Sequence, residues 1–448
     1  MVPVVFDRPR LIDLRARTTI GPPSDYPRLW SRLNRVACVL AVVPTSLRVL
    51  GSLRHNGGWD YSAVEWLINN GGGLTRRGLS GDLLLAVPGL TARTVLVITV
   101  MALLAVVTAG YAALVGGAVR ATGTGWPLLF WLLPGGLVMG TLQANLHGIT
   151  IGTSDFALRK DYLFLAILIG TVVAAHRWPQ STPRLVIAGA GAVACGLGVF
   201  IHEALAVGTC GVLIYLMVWL NPRPLPRTIT MSLPNYLSAI STQVTLPTGL
   251  VIAAPTLVGL GLLAGSWAPA DTDMHVMWTT VDATTRSWVE IQTLQVGGID
   301  TGLPPAIWWL TASPAESLHW IQAQYLDTGV WVAWAITAGG VTGWVLVAGR
   351  LVDSSPAATR RNLVHLGILA AATLPLFVFA LDWGRWIVGI GLVACILLLA
   401  GLQDPRYRPT PASFGVVSGL TAAGLVGTSL VLAIPVFGID FWLARLFI

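Results

Sequence analysis

Residues 94–118 read TVLVITVMALLAVVTAGYAALVGGA, a run with no charged side chain, bounded by Arg93 and Arg120. A bilayer crossing by a helix takes about 20 consecutive apolar residues, and this run supplies them with nothing inside it to stop a helix. Comparable runs fall near 36–53, 126–142, 162–176, 185–201, 204–220, 245–265, 328–349, 362–381, 385–402 and 414–436, eleven in all. The stretch 185–220 is too long for one helix and is broken at His202-Glu203, so it reads as two spans meeting at a polar turn. The run at 126–142 contains Pro134-Gly135-Gly136 and reads as kinked or partly re-entrant.

Composition agrees with that reading. The 448 residues are 54% hydrophobic and 10% charged, with a mean hydropathy of +0.73. A soluble domain carries about a quarter charged residues, so a soluble enzyme, a secreted disulfide scaffold, a disordered chain and a nucleic-acid binder are excluded. The net charge of +7 is read as arginines at span ends that set orientation. The predicted fold is an all-α polytopic membrane bundle of about 11 transmembrane helices, multi-pass in the plasma membrane. Cys38, Cys195, Cys210 and Cys395 all lie in apolar stretches and show neither disulfide nor metal spacing.

Charge asymmetry orients the chain. Met1 to Arg35 holds seven arginines and reads as a cytoplasmic basic tail (1–35). Counting alternately, seventeen of the 27 basic residues fall on the cytoplasmic side and nine outside, with Arg48 inside the first span. Fifteen of the twenty acidic residues fall outside or at outer helix ends. The organisation that follows is seven spans over 36–265 with an external loop at 51–93, an external segment at 266–327, and four spans over 328–448. The C-terminus then lies outside. Ser313-Pro314-Ala315-Glu316 reads as a capping box opening a short helix to about Tyr325.

With this topology the ionisable clusters fall on the outer side: Asp60 and Glu65; Arg76-Arg77 with Asp82; Asp155 with Arg159-Lys160-Asp161; His202-Glu203; and Asp382 with Arg385. Charged groups at membrane depth pair, line a wet cavity or do chemistry, and five clusters on one face point to a shared cavity. Each also has a plainer reading. Arg76-Arg77 either snorkels at the interface or grips a phosphate, and the three preceding glycines let the backbone approach a ligand closely. Asp155 to Asp161 is either self-neutralising or part of the cavity. His202-Glu203 is either a structural pair or a general base with a substrate-gripping histidine. Asp382 and Arg385 either pair with each other or face one substrate. The remaining histidines lack metal-ligand spacing.

Gly72-Gly73-Leu74-Thr75-Arg76-Arg77-Gly78-Leu79, Arg159-Lys160-Asp161-Tyr162-Leu163-Phe164, Ile201-His202-Glu203-Ala204 and Asp382-Trp383-Gly384-Arg385-Trp386 together resemble a group of bacterial envelope-glycan membrane proteins. The pattern is similar to lipid-linked-sugar glycosyltransferases of the GT-C superfamily and to O-antigen-polymerase-like proteins. The resemblance implies a catalytic carboxylate in the first external loop, matched by Asp60 and then Glu65, with Glu203 a further candidate. It implies a polyprenyl-phosphate-linked sugar as donor, with its phosphate held by Arg76 and Arg77, aided by Arg159 or Arg385. Lys160, Asp161, His202 and Asp382 complete the implied substrate-binding set. The acceptor would be an envelope glycan or lipid reached from the membrane, with no nucleic acid involved. Some members use a divalent metal; no metal ligand is assigned here. The chain lacks the sizeable C-terminal soluble domain of many such enzymes, and the 266–327 segment stands where it would serve. A polysaccharide polymerase is the close alternative. A flippase or transporter of lipid-linked glycan is the alternative of another class, against which stand the odd span count, the absence of internal repeats and the one-sided charge.

Overall fold

The computed structural model describes residues 26–54, 61–73, 75, 77–132, 160–178, 181–202, 271–289, 295–296, 299–300, 302–311, 313–323, 330–352, 367 and 383–403. In chain order the helices are α1 (Tyr26–Arg54), α2 (Tyr61–Leu67), α3 (Leu79–Leu85), α4 (Ala92–Thr122), α5 (Asp161–Arg177) and α6 (Ser181–Leu197). They continue with α7 (Asp271–Thr280), α8 (Ala283–Trp288), α9 (Pro305–Trp308), α10 (Pro314–Ile321), α11 (Val330–Val352) and α12 (Trp383–Leu402). Short 3-10 turns span Trp126–Trp131, Gly198–Phe200 and Trp309–Thr311. The departure from helix among the described residues is a two-stranded antiparallel ribbon, β1 (Gln295–Val296) with β2 (Ile299–Asp300). The protein is helical, as its composition predicts.

Six of the eleven apolar runs coincide with helices: 36–53 lies in α1, 94–118 in α4, 162–176 in α5, 185–201 in α6 and the turn after it, 328–349 in α11 but for its first two residues, and 385–402 in α12. The run at 126–142 begins as the 3-10 turn Trp126–Trp131, and its remainder from 133 lies outside the described residues. So do 204–220, 245–265, 414–436 and, but for Gly367, 362–381. Among the described residues one helix, α4, is long and apolar enough by length and composition to cross a membrane. Its 31 residues extend about 46 Å at 1.5 Å per residue.

Both ends of α4 are set by local chemistry. Thr91 stands in extended backbone, and its hydroxyl accepts from the Thr94 amide, an N-cap that satisfies one of the helix's orphan donors. Gly123, at φ 68°, closes the other end by donating its N–H to the Val119 carbonyl. The capping box at α10 forms in both halves, Glu316 N to Ser313 Oγ at 3.2 Å and Ser313 N to Glu316 Oε2 at 2.6 Å. The α-helix it opens runs to Ile321 and continues as a wider helical turn over 322–323; Tyr325 lies outside the described residues.

Two hydrophobic cores share α4 as a spine. Leu104, Val107, Tyr111, Leu114, Val115 and Ala118 face the larger core, with residues of α1, α5, α6, α11 and α12. Ala92, Leu96 and Val100, about one to three turns nearer the N-terminus, face the second core. That core is built from α2, Leu84 of α3, and the α7 to α9 region, including Met274, Met277, Trp278 and Ile307. The described parts of the 266–327 segment are therefore packed on the first loop by their own apolar side chains. Meanwhile the described residues leave a face of large aliphatics on α1 uncovered, Val36, Val39, Leu40, Val43 and Leu47, at the spacing of one helix stripe.

The second core is hooked to the spine by one carboxylate. Asp282 caps α8 by accepting from Thr285 N (2.8 Å) and Thr285 Oγ1 (2.7 Å), and it also accepts from Ala92 N (3.0 Å) at the start of α4. Arg93 N donates to Thr285 Oγ1 at 3.0 Å. Both first-turn amides of α4 thus find acceptors far away in the sequence. Arg93 also lies over the Trp288 ring, 4.9 Å from its centroid. Burial alone would raise the Asp282 carboxyl; the hydrogen bonds from Thr285 and Ala92 outweigh it and hold the group below its ordinary range. Because the folded value is the lower one, the carboxylate stabilises the fold above its unfolded pKa of about 3.9 and that contribution is lost as pH falls through the folded value. Asp282→Ala is expected to cost about 1 kcal/mol at neutral pH, the scale of a lost cap. Unfolding of the two proteins followed against pH should show the gap narrowing below about pH 4; a gap independent of pH would contradict the hook.

Candidate functional site

Helix α2 is buried on every described face: Ala63, Val64, Trp66 and Leu67 are core residues, and Glu65 among them is 1% exposed. An ionised carboxylate taken out of water must be paired and hydrogen-bonded or it is strongly destabilising. Arg77 Nη1 donates to Glu65 Oε1 at 2.8 Å, and His202 Nε2 lies 3.0 Å from the same oxygen. The three residues come from the first loop, the turn before α3 and the turn after α6. Three clusters that are separate in sequence meet at one oxygen.

A fourth segment closes on them. Lys160, 1% exposed, donates from Nζ to the carbonyl of Ile201, next to His202, at 2.9 Å. The same ammonium stands 5.9 Å from the centroid of the Trp66 ring, next to Glu65. Asp161, 6% exposed, follows in the first turn of α5, where a carboxylate complements the helix N-terminus. Glu65, Lys160 and His202 are sealed in, whereas the Arg77 side chain is 18% exposed. Arg77 is the edge of the cluster.

Arg77 also holds an unusual backbone. Its φ of 68° is the one left-handed non-glycine conformation among the described residues. Such a conformation costs an ordinary residue about 1–2 kcal/mol and persists where the surroundings over-determine it. The surroundings here are the turn 69–78. Asn70 Oδ1 accepts from Thr75 N at 2.8 Å, and Asn70 N and Nδ2 both donate to Asp82. Ser80 Oγ donates to the Arg77 carbonyl at 3.2 Å. On the other side Asn69 Nδ2 donates to Met277 O (3.2 Å), and Thr280 Oγ1 donates to Asn69 Oδ1 (3.0 Å), fastening the turn to α7.

Two of the glycines of this turn have an internal explanation beside the ligand approach expected of them. A Cβ on Gly72 would run into the Asp273 carbonyl oxygen, and one on Gly71 would run into the Thr280 methyl. Gly73 has φ 125°, a conformation that side-chain-bearing residues rarely adopt. Gly71 and Gly72 serve the seat of the turn on α7, and Gly73 serves its backbone path. Asp82, grouped with the arginines in the sequence, is taken up by Asn70.

Of the predicted site residues, Glu65, Arg77, Lys160, Asp161 and His202 fall in this one region. Asp60, Arg76, Arg159, Glu203 and Asp382 lie outside the described residues, although each is a direct chain neighbour of a described one. Arg385 lies in the first turn of α12, and its side chain is outside the described set. Sequence reasoning missed Asn69, Asn70 and Thr280 as the fasteners; the Asn69-Asn70-Gly71-Gly72 run was the available signal, since Asx side chains bond nearby backbone and glycines mark close approach. It also missed Trp66 as a partner of Lys160. Among the described residues no group of three or more His, Cys, Asp or Glu side chains could hold a metal ion. Glu65 and His202 stand beside two cations, Arg77 and Lys160, which is a poor setting for a divalent ion.

No family model, no curated protein and no solved structure matches the chain.

Two outcomes follow from the site's geometry. Glu65→Ala strands a half-buried arginine and a buried histidine and is expected to cost about 3 kcal/mol in denaturant unfolding. With Arg77→Ala it should give a coupling above about 0.5 kcal/mol in a double-mutant cycle, while strictly additive losses would mean the pair is incidental. Gly72→Ala, against the Asp273 backbone, should destabilise by about 1–3 kcal/mol in the same unfolding experiment, the scale of overpacking. Gly89 is the control: at φ 77° with no atom within 4 Å of a Cβ, it should lose only the conformational cost when replaced by alanine.

Proposed function

We propose that this chain is a polytopic plasma-membrane glycosyltransferase, GT-C-like in plan, with about eleven spans, its N-terminus in the cytoplasm and its C-terminus outside. It takes a sugar from a polyprenyl-phosphate-linked donor and passes it to an envelope glycan or lipid acceptor at the outer face. The observation that carries the reading is the convergence of Glu65, Arg77, Lys160 and His202, from four separated segments, at the junction of the helical core and the packed 266–327 segment. The aliphatic face of α1 and the length of α4 support the membrane setting.

The roles follow from position. Glu65 is the buried anchor that holds Arg77 and His202. Arg77, at the exposed edge, meets the donor phosphate together with Arg76, which precedes it in the chain, and offsets the charge that grows on the leaving group. Asp60, the residue just before α2, accepts the proton of the acceptor hydroxyl, with Glu203, the residue after His202, as the second candidate base. The acceptor oxygen bonds to the anomeric carbon, the carbon–oxygen bond to phosphate breaks, and polyprenyl phosphate departs with the bond's electrons. Arg159, Asp161, Asp382 and Arg385 complete the substrate-binding set in this reading.

The test uses purified protein in nanodiscs with a panel of radiolabelled polyprenyl-phosphate sugars and a membrane glycan acceptor. Wild type should transfer label, and Asp60→Asn should lose about 100-fold or more, the scale of a lost general base. Arg77→Lys keeps the charge but not the planar fork, and should lose activity with its melting behaviour close to wild type. Absence of turnover with every donor, alongside binding that depends on Arg77, would replace this reading with a flippase or transporter.

A further inference from the structure

A groove of about 330 Å³ runs along the outside of the contact between α4 and α5, lined among the described residues by Val106, Ile169, Gly170, Val173, Arg177 and Trp178. Its walls are aliphatic, and a guanidinium and an indole stand together at one end. That end is opposite the Glu65 cluster, because α5 runs from Asp161 beside Lys160 to Arg177. Gly170 forms an open stretch of the wall, with nothing within 4 Å of where its Cβ would be. Val106 is 52% and Trp178 49% exposed, so the groove faces outward from the described helices.

We propose that this groove binds one acyl chain of an anionic phospholipid, with the lipid phosphate against Arg177. The proposal rests on the membrane setting above and not on the transferase chemistry. The depth fits: from Ile169 to Arg177 is about 12 Å along α5, most of one leaflet of a hydrocarbon core of about 30 Å. The chemistry fits at the end as well. An arginine takes a phosphate bidentately, and a tryptophan beside it sits where aromatic side chains collect at the headgroup boundary. By the charge asymmetry of the chain this is the cytoplasmic leaflet, where anionic lipid attracts basic residues near span ends. His176, the neighbouring titratable group, is turned inward, its ring nitrogens against the Val172 and Ala400 carbonyls at 2.9 and 3.3 Å, which leaves Arg177 as the charge at the groove mouth.

The experiment is native mass spectrometry of the full chain in detergent, titrated with phosphatidylglycerol or phosphatidylcholine of matched chains. Wild type should retain phosphatidylglycerol in preference. Arg177→Ala should weaken phosphatidylglycerol about fivefold and phosphatidylcholine less, because the choline cation already offsets that lipid's phosphate. Gly170→Leu fills the groove from an open position and should lose both lipids, and Val106→Trp fills it from the facing helix should the first variant fold poorly. Equal retention of the two lipids by wild type, or full retention by a folded groove-filling variant, overturns the proposal. Carbonate extraction of wild type from membranes reads the membrane setting separately, so a failure of the groove and a failure of that setting are distinguishable.

Discussion

The carboxylate of Glu65 is the constraint around which the rest is arranged. A charge that is 1% exposed, in a helix whose described neighbours are all apolar, has no water to lean on. Its compensation comes from Arg77 and His202, and each brings a segment with it. Arg77 stays in a left-handed conformation because the turn 69–78 is fastened to α7 on one side and to Asp82 on the other. His202 ends the α6 region, and its neighbour Ile201 gives the carbonyl that holds Lys160 at the start of α5. One oxygen atom thus joins the loop after α1, the turn after α6 and, through Lys160, the start of α5.

The second dependence is mechanical. α4 belongs to two cores, and the cluster lies where they adjoin. The N-terminal half of α4 is held by the hook from Asp282 and Thr285, the remainder by side chains of five other long helices. A site built at such a junction has rigid elements on both sides, which is what positioning of a reacting group requires. The exposed edge formed by Arg77 is then the one part of the described cluster presented outward.

Much of this was legible from residues alone, and the reasons divide cleanly. The apolar run 94–118 and the break at His202 are local signals, and α4 and the end of α6 stand where those signals lie. The capping box at Ser313 was legible for the same reason, since its two bonds join residues three apart. What stayed hidden is long-range. Nothing near Asn69 announces Met277, and nothing near Ala92 announces Asp282. Gly72 is hidden for a related reason: closeness of approach is written in the glycine, but the Asp273 carbonyl that it approaches belongs to a helix far along the chain. Gly89, followed by Leu90, is a glycine of the other kind, required by its φ of 77° alone.

In the proposed function α4 crosses the membrane with the Glu65 cluster at its outer end. Single cysteines answer it directly, placed at Ala315 in the exposed first turn of α10 and at Ala121 near the opposite end of α4, with Cys38, Cys195, Cys210 and Cys395 replaced. A membrane-impermeant maleimide added to intact cells should label position 315 and should reach position 121 only after the membrane is opened. Labelling of both positions in intact cells, or of neither until the membrane is opened, would contradict the account.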